Sequence, residues 1–376
     1  LCFGYDANET FNTIMMQGGS IRSVTVKKDL SQATGQTGPY YVQAGDIYRD
    51  YEAAYQQSLK FRENGIAAYP AYCKSWMVWC GPYESRDSAA CAIEWGIGSI
   101  AGQAACRITE PFAKRLQVAA SNGEILFLFE GNDSFLKIKS VRDSGQLGLI
   151  SVNGKRYRGD IEIRRYADSD LTVINELPLE EYLYGVVPRE LGPGNPMEAL
   201  KAQAVAARTY AVLNYDRYLK WGFNLSPTVS DQVYEGYDVE SASTNEAVEA
   251  TRGKVVTYDG RIARVYYFSC SGGMTENAEN VWNSPGFPYL KSVEDTYEPA
   301  EAFRARWEIS LTSQQVKDIL ASQGINIGDI TAIIPLEHSG VGRVTKLLIK
   351  GTAGEKIFER IQTRAVFGYN TVFSPW

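Results

Sequence analysis

The chain has 376 residues, 44% of them hydrophobic and 22% charged, with a formal net charge of −6. That is enough apolar material for a substantial core, at a length that suits two or three domains; the acidic balance and the lack of any Lys/Arg block exclude a nucleic-acid binder. The single histidine, His338, excludes a multi-histidine metal site and has nothing nearby from which to build a serine–histidine triad, and no apolar run is long enough to span a membrane as a helix.

From the N-terminus, SIRSVTVKK (20–28) alternates Ile21, Val24 and Val26 with polar residues and predicts a strand. The polar, glycine-rich SQATGQTGP (31–39) reads as a linker. A strand at YYVQAG (40–45) precedes a helical spacing of Tyr51, Ala54, Tyr55 and Leu59 that stops at Gly65. Then come a strand ending in a Gly-Pro turn, SWMVWCGPY (75–83), and a second helix over 85–96 with Ser85 as its cap. This β-α-β-α texture over 40–106 suits a small sheet with helices on one face. From 113 to 175 short β-rich runs dominate, and SNGE (121–124) and VNGK (152–155) carry the Asn-Gly signal of tight hairpins.

Helical spacing returns with Leu179, Tyr182, Leu183 and Val186, and Pro188 is expected to close that helix. The next is expected to open at Asn195 as N-cap, with Pro196 in the first turn and Glu198 three residues after the cap, and to run to about Leu219. Its alanines, among them Ala199, Ala204, Ala207 and Ala211, allow close approach on several sides, as a buried central helix requires. A helix at TNEAVEATRG (244–253) and a hairpin around Asp259-Gly260 follow, and the tail mixes a helix (312–324) with a strand (344–351). The class is α+β. The six cysteines, Cys2, Cys73, Cys80, Cys91, Cys106 and Cys270, form no CxxC pair, and leave disulfides and buried thiols equally open.

Three stretches could carry chemistry. Glu190 sits between Pro188 and Pro193 on a short, stiff connector, which positions a carboxylate well. SDQVYEG (230–236) centres on Gln232, a side chain able to bind a sugar hydroxyl or orient a reacting group. In FSCSGGMTENAENVW (268–282), Ser269 and Ser271 flank Cys270, and Gly272-Gly273 permits close backbone approach to a ligand; hydrogen bonding suits these serines better than nucleophilic attack.

INELPLEEYLYGVVPRELGPGNPMEALKAQAVAARTYA, QVYEG, NEAVEATRGKVVTYDG and YYFSCSGGMTENAENVW, in that order, resemble the stage II sporulation protein D (SpoIID/LytB) family, and GRVTKLLIKG…FGYNTVF fits its end, so that the likeness runs from about Arg115 to Phe373. The resemblance implies a peptidoglycan lytic transglycosylase whose single acid/base is the glutamate after VVP, here Glu190, with Gln232, Tyr234, Arg208, Ser269 and Ser271 binding the substrate. It departs from the family at Phe268, where a histidine is frequent. NLSPTVSDQ (224–232) also lacks the Cys and His that hold zinc in some members, so no metal or other cofactor is expected. Tyr41, Val42, Gln43, Gly45, Val78, Gly81, Pro82, Tyr83 and Ala89 resemble the SPOR domain, a βαββαβ ferredoxin-like fold that binds peptide-stripped glycan.

The expected organisation is an N-terminal strand segment (1–36) pairing back into the main domain, a SPOR-like domain (37–108), and a SpoIID/LytB-like domain (112–376) with a strand-rich part (112–176) and a catalytic part (177–376). Glycan strands of peptidoglycan are the expected partner. The implied location is extracellular or in the cell wall, with any membrane anchor in a segment that this sequence lacks. Two other readings stand open: a non-catalytic glycan-binding enhancer of a cell-wall amidase, and a muramidase in which Asp231, Glu235 or Glu276 is a second carboxylate to Glu190.

Overall fold

Strands carry most of the first half of the chain, in a computed structural model that describes residues 1–7, 10–16, 23–29, 39–112, 114–131, 135–140, 147–165, 171–282, 286–299 and 307–369. The linker stretch 31–38, the start of the 20–28 run and the closing 370–373 lie outside the described residues. The chain divides into two units, Leu1–Val256 and Thr257–Trp376.

In the first unit, β1 (Cys2–Ala7), β2 (Thr10–Met16), β3 (Val24–Lys28) and β4 (Tyr40–Ala44) lead into α1 (Tyr51–Glu63), β5 (Ala68–Cys73), β6 (Ser75–Tyr83), α2 (Arg86–Ala92), α3 (Gly98–Ala101) and β7 (Cys106–Thr109). The strands β8 (Leu116–Ala120), β9 (Ile125–Phe129), β10 (Leu136–Lys139), β11 (Ile150–Val152), β12 (Lys155–Tyr157), β13 (Asp160–Arg165) and β14 (Leu171–Glu176) follow. The Asn-Gly signal at β11–β12 works through backbone conformation: Asn153 and Gly154 sit at φ 49° and 84°, the paired left-handed residues of a type I′ turn.

These strands form two large sheets. One has the order β14-β13-β10-β1-β2, all antiparallel. The other has seven strands in the order β3-β8-β9-β5-β6-β4-β7, in which only β5–β9 is parallel. Within it, β4-α1-β5-β6-α2-β7 forms a β-α-β-β-α-β run whose strands lie side by side as β5-β6-β4-β7. The sheet does not stop at β5: β9 pairs along it, and β8 and β3 extend the plate. Asp50 caps α1 by accepting the Ala53 N–H at 2.9 Å, and Ser85 and Ser88 form a reciprocal capping box on α2. Phe3, Phe61, Val78, Leu116, Phe127, Leu136 and Ile161 belong to one buried cluster that both sheets share.

A layer of three helices completes this unit: α4 (Leu179–Glu190), α5 (Met197–Leu213) and α6 (Ala242–Ala250), around Leu183, Val186, Leu200, Ala204, Ala207 and Val248. Three expected boundaries are corrected. Pro188 lies inside α4 instead of closing it, because a proline near a helix end removes only one N–H and the Leu191 N–H still closes onto the Val187 carbonyl at 3.1 Å. Asn195 is not the N-cap of α5; its amide donates backwards to the Leu191 carbonyl at 2.5 Å, and Pro196 holds the cap position. The helix α5 stops at Leu213, not Leu219, where the Asn214 side chain takes the Tyr210 carbonyl at 2.8 Å and competes with the next turn.

The second unit opens with β15 (Thr257–Tyr258) and β16 (Arg261–Ile262), a hairpin on Asp259 and Gly260 at φ 51° and 73°. The pairing covers two residues on each strand, less than the apolar run 262–270 suggests. After α7 (Ala278–Val281), α8 (Ser313–Ser322) packs Val316 and Leu320 against a sheet of β17 (Ile330–His338), β18 (Val344–Gly351) and β19 (Gly354–Glu359), with α9 (Gln362–Ala365) at the end. Thr312 and Gln315 form the capping box of α8. All six cysteines are free thiols, with Cys2 and Cys80 buried and Cys91 exposed.

Candidate active site

Because Pro188 does not end α4, Glu190 is its last helical residue and not part of a connector. The side chain is half-buried, and its Oε1 accepts the backbone N–H of Val233 at 2.8 Å. Among the described residues its Oε2 has no hydrogen-bond partner. This bond joins the end of α4 to the QVY segment, which brings Glu190 beside Gln232 and Tyr234, residues more than forty positions away.

Gln232 is fully buried. Its Nε2 donates to the Ala207 carbonyl at 3.2 Å, and its Oε1 accepts from the Tyr182 hydroxyl at 3.3 Å. Tyr234 packs 5.1 Å from Tyr182 and donates its hydroxyl to Asn175 Oδ1 at 2.7 Å. Burial pushes the Tyr234 phenol well above its ordinary value, so it stays a hydrogen-bond donor at any working pH. The ring fits because residue 185 is glycine: a Cβ there would lie 2.6 Å from the Tyr234 ring and 2.9 Å from the Gly236 carbonyl. Gly236, at φ 78°, turns the chain under Tyr157, where a Cβ would meet the Arg156 carbonyl at 2.5 Å. Gly185→Ala is therefore expected to cost about 1–3 kcal/mol by overpacking, read as a lower denaturation midpoint. An unchanged midpoint would mean that the ring is not seated against α4.

Asp231 supports the same loop. Its carboxylate is buried and accepts from the Tyr210 hydroxyl at 3.0 Å, the Arg217 guanidinium at 2.6 Å and the Ser226 N–H at 2.9 Å. Glu235 pairs with Arg189 at 3.1 Å. Arg208, expected at the substrate, is 1% exposed and serves as a cross-tie. It grips Glu180 of α4 through Nε at 2.9 Å and Nη2 at 2.6 Å, and donates to the carbonyls of Val248 and Lys254 at 3.2 and 3.0 Å. Its guanidinium joins all three helices of the layer and has no face left for a ligand.

The two serines belong to the second unit. Ser269 is exposed. Ser271 is buried, and its loop closes on a carboxylate of its own chain, Glu298. The N–H groups of Ser271 and Gly272 donate to Glu298 Oε2 at 2.7 and 3.1 Å, joined by the Ser271 hydroxyl and the Cys270 thiol. Hydrogen bonds from Cys270 and then Ser271 pull the Glu298 carboxyl down to about 2, and burial first, then the bond to Glu298, pushes the Cys270 thiol up. A depressed carboxyl stabilises the folded loop at every pH above its unfolded value of about 4.3. That contribution fades as pH falls through about 2, so the clasp is fully formed near neutrality. In a Cys91→Ser background, Glu298→Ala is expected to speed alkylation of Cys270 at pH 8 several-fold; an unchanged rate would mean that the carboxylate does not guard the thiol.

Glu276, the third candidate second carboxylate, also lies in this unit, where it accepts the Asn277 N–H at 2.8 Å and the Ser339 hydroxyl at 2.5 Å. Among the described residues no three His, Cys, Asp or Glu side chains come together as a metal-binding group. The sequence reading missed Glu180, Gly185, Asn175 and Glu298. Gly185, a glycine inside a strongly helical run, was the one readable signal among them.

Comparison with known proteins agrees with the motifs. Residues 167–258 match the profile of the stage II sporulation protein family, SpoIID. The stage II sporulation protein D of Bacillus subtilis is 37% identical over 208 residues, which span 51% of this chain and 60% of that protein. The amidase enhancer of the same organism is 38% identical over 187 residues, 50% of this chain and 24% of that protein. An uncharacterised protein of Brachyspira hyodysenteriae is 34% identical over 201 residues, 53% of this chain and 54% of that protein. The chain thus spans about half or less of the length of two of these relatives and 60% of the third. Glu190, Gln232 and Tyr234 all fall within the residues 167–258 that match the stage II sporulation protein profile.

Proposed function

We propose that the protein is a peptidoglycan lytic transglycosylase in which Glu190 is both acid and base. The reading rests on one observation: Glu190 Oε1 is pinned by the Val233 N–H at 2.8 Å beside the buried Gln232, while Oε2 is left to handle a proton. A hydrolytic glycosidase uses two carboxylates. A lytic reaction needs one. Protonated Glu190 gives its proton to the oxygen bridging N-acetylmuramic acid and N-acetylglucosamine, and that C–O bond breaks. The carboxylate left behind then takes the proton from the muramic acid 6-hydroxyl as its oxygen bonds to the anomeric carbon. The product is a 1,6-anhydro end, with no water consumed. Attack from within the same ring supplies a high effective concentration of nucleophile.

Tyr182, Gln232 and Tyr234 shape the wall beside Glu190; Ser269 and Ser271 are kept as proposed substrate-binding residues on the strength of their motif alone. Arg208 acts through Glu180 by fixing α4. The engagement of Asp231 by three donors and of Glu235 by Arg189 disfavours either as a second catalytic carboxylate. The β-α-β-β-α-β run over 40–109 is proposed as a SPOR-like glycan-binding part, and the setting as the cell wall or its exterior. A second reading, a glycan-binding enhancer of a cell-wall amidase, draws on the likeness to the amidase enhancer of Bacillus subtilis. Mass spectrometry of products from peptide-stripped glycan decides between them. Anhydro ends are expected; ends carrying an added water would indicate a muramidase, and no products, with amidase stimulation, the enhancer.

A further inference from the structure

The first unit contains a cleft of about 1050 Å³ next to the Glu190 loop, walled by β12–β14, the start of α4, the end of α5 and the 222–227 turn. Its size is at the top of the range of small-molecule sites, and it is open, as an elongated ligand requires. Three rings run along it: Tyr157 lies 6.2 Å from Tyr234, and Tyr234 lies 5.1 Å from Tyr182. Tyr215 also lines the cleft, 59% exposed. Tyrosine faces with hydroxyls at their edges suit the alternating apolar and hydroxylated faces of a pyranose.

The charges select further. Among the described residues five charged side chains line the cleft, and four of them are neutralised locally. Glu162 holds Arg164, Glu176 holds Lys137 at 2.5 Å, and Glu235 holds Arg189 at 3.1 Å. Lys155 is exposed and has no ion-pair partner among the described residues. Among the described residues the cleft therefore presents one available charge, and it is positive.

We infer that this cleft is the groove for the glycan strand leading to Glu190, and that Lys155 reads a free carboxylate on the sugar, as peptide-stripped muramic acid carries. The inference rests on the function proposed above and names the substrate class of that site. The link is short: Tyr234 and Glu235, which line the cleft, directly follow Val233, whose N–H holds Glu190.

The test uses the full chain with Glu190→Gln to prevent turnover, and two probes that share a β-1,4 backbone: peptide-stripped glycan and a neutral chitooligosaccharide. Both variants are surface changes expected to leave folding intact. Lys155→Glu is expected to weaken binding to stripped glycan by about five- to tenfold and to leave the neutral probe within about twofold. Tyr215→Ala is expected to weaken both probes by about three- to tenfold. Unchanged binding in both variants, or equal losses on both probes in Lys155→Glu, would overturn the inference. Loss of binding in the variants without anhydro products from the wild type would retain the groove and remove the lyase reading. Normal binding in the variants with Glu190-dependent anhydro products would do the reverse.

Discussion

Glu190→Gln is expected to lower anhydro-product formation by about 10²–10⁴-fold while leaving the fold and glycan affinity unchanged. The amide keeps an oxygen for the Val233 N–H, now held at 2.8 Å, so the join between α4 and the QVY loop survives. It cannot exchange a proton at working pH. In the proposed mechanism both half-reactions would fail together, because one group would serve as acid and then as base. Glu190→Asp provides a graded comparison: it keeps the chemistry but withdraws the carboxyl by one methylene from a tightly positioned site, and a loss smaller than that of the glutamine variant is expected. Activity near wild type in Glu190→Gln would end the acid/base assignment. Under the enhancer reading the same variant would stimulate an amidase as well as the wild type does.

Arg208→Met is expected to cost about 3–5 kcal/mol of stability. The buried Glu180 carboxylate would lose all of its guanidinium bonds and keep the Gly253 N–H at 3.1 Å, which is too little for a charge taken out of water. The carbonyls of Val248 and Lys254 would lose their donor as well. For a unit of this size each kcal/mol lowers the melting temperature by about 2–4 °C. The double variant Arg208→Met, Glu180→Leu is expected to recover part of the loss, since an apolar pair of similar volume leaves no stranded charge. A lysine at 208 would restore the charge but not the forked contact, and is expected to fall between wild type and methionine. Glycan affinity lost in Arg208→Met with unchanged stability would instead make this arginine a ligand contact.

The local features were legible. Asn153-Gly154 and Asp259-Gly260 place turns where the chain must adopt left-handed conformations, and Ser85 announced α2 through its capping pattern. The α+β class followed from segment texture. Boundaries were less legible wherever a side chain competes with the backbone, as Asn195 and Asn214 do. Pro188 misled for a related reason: the rule that proline ends helices applies to interiors, and near a C-terminus it costs only one bond. Glu190 was singled out from its motif, but its anchor was not, because a backbone N–H at Val233 leaves no trace in residue type. The same holds for Arg208 with Glu180 and for Ser271 with Glu298: these pairs lie 28 and 27 positions apart, and no local period records them.

The parallel seam between β5 and β9 bears on how the protein can be taken apart. Excising 39–110 would strip the Ala71–Tyr72 rim of its neighbour and leave bare amides facing water, an invitation for two fragments to zip together. A soluble fragment would have to bring along the flanking ribbons that shield this rim, 24–28 and 116–129, although they lie on opposite sides of the piece along the chain.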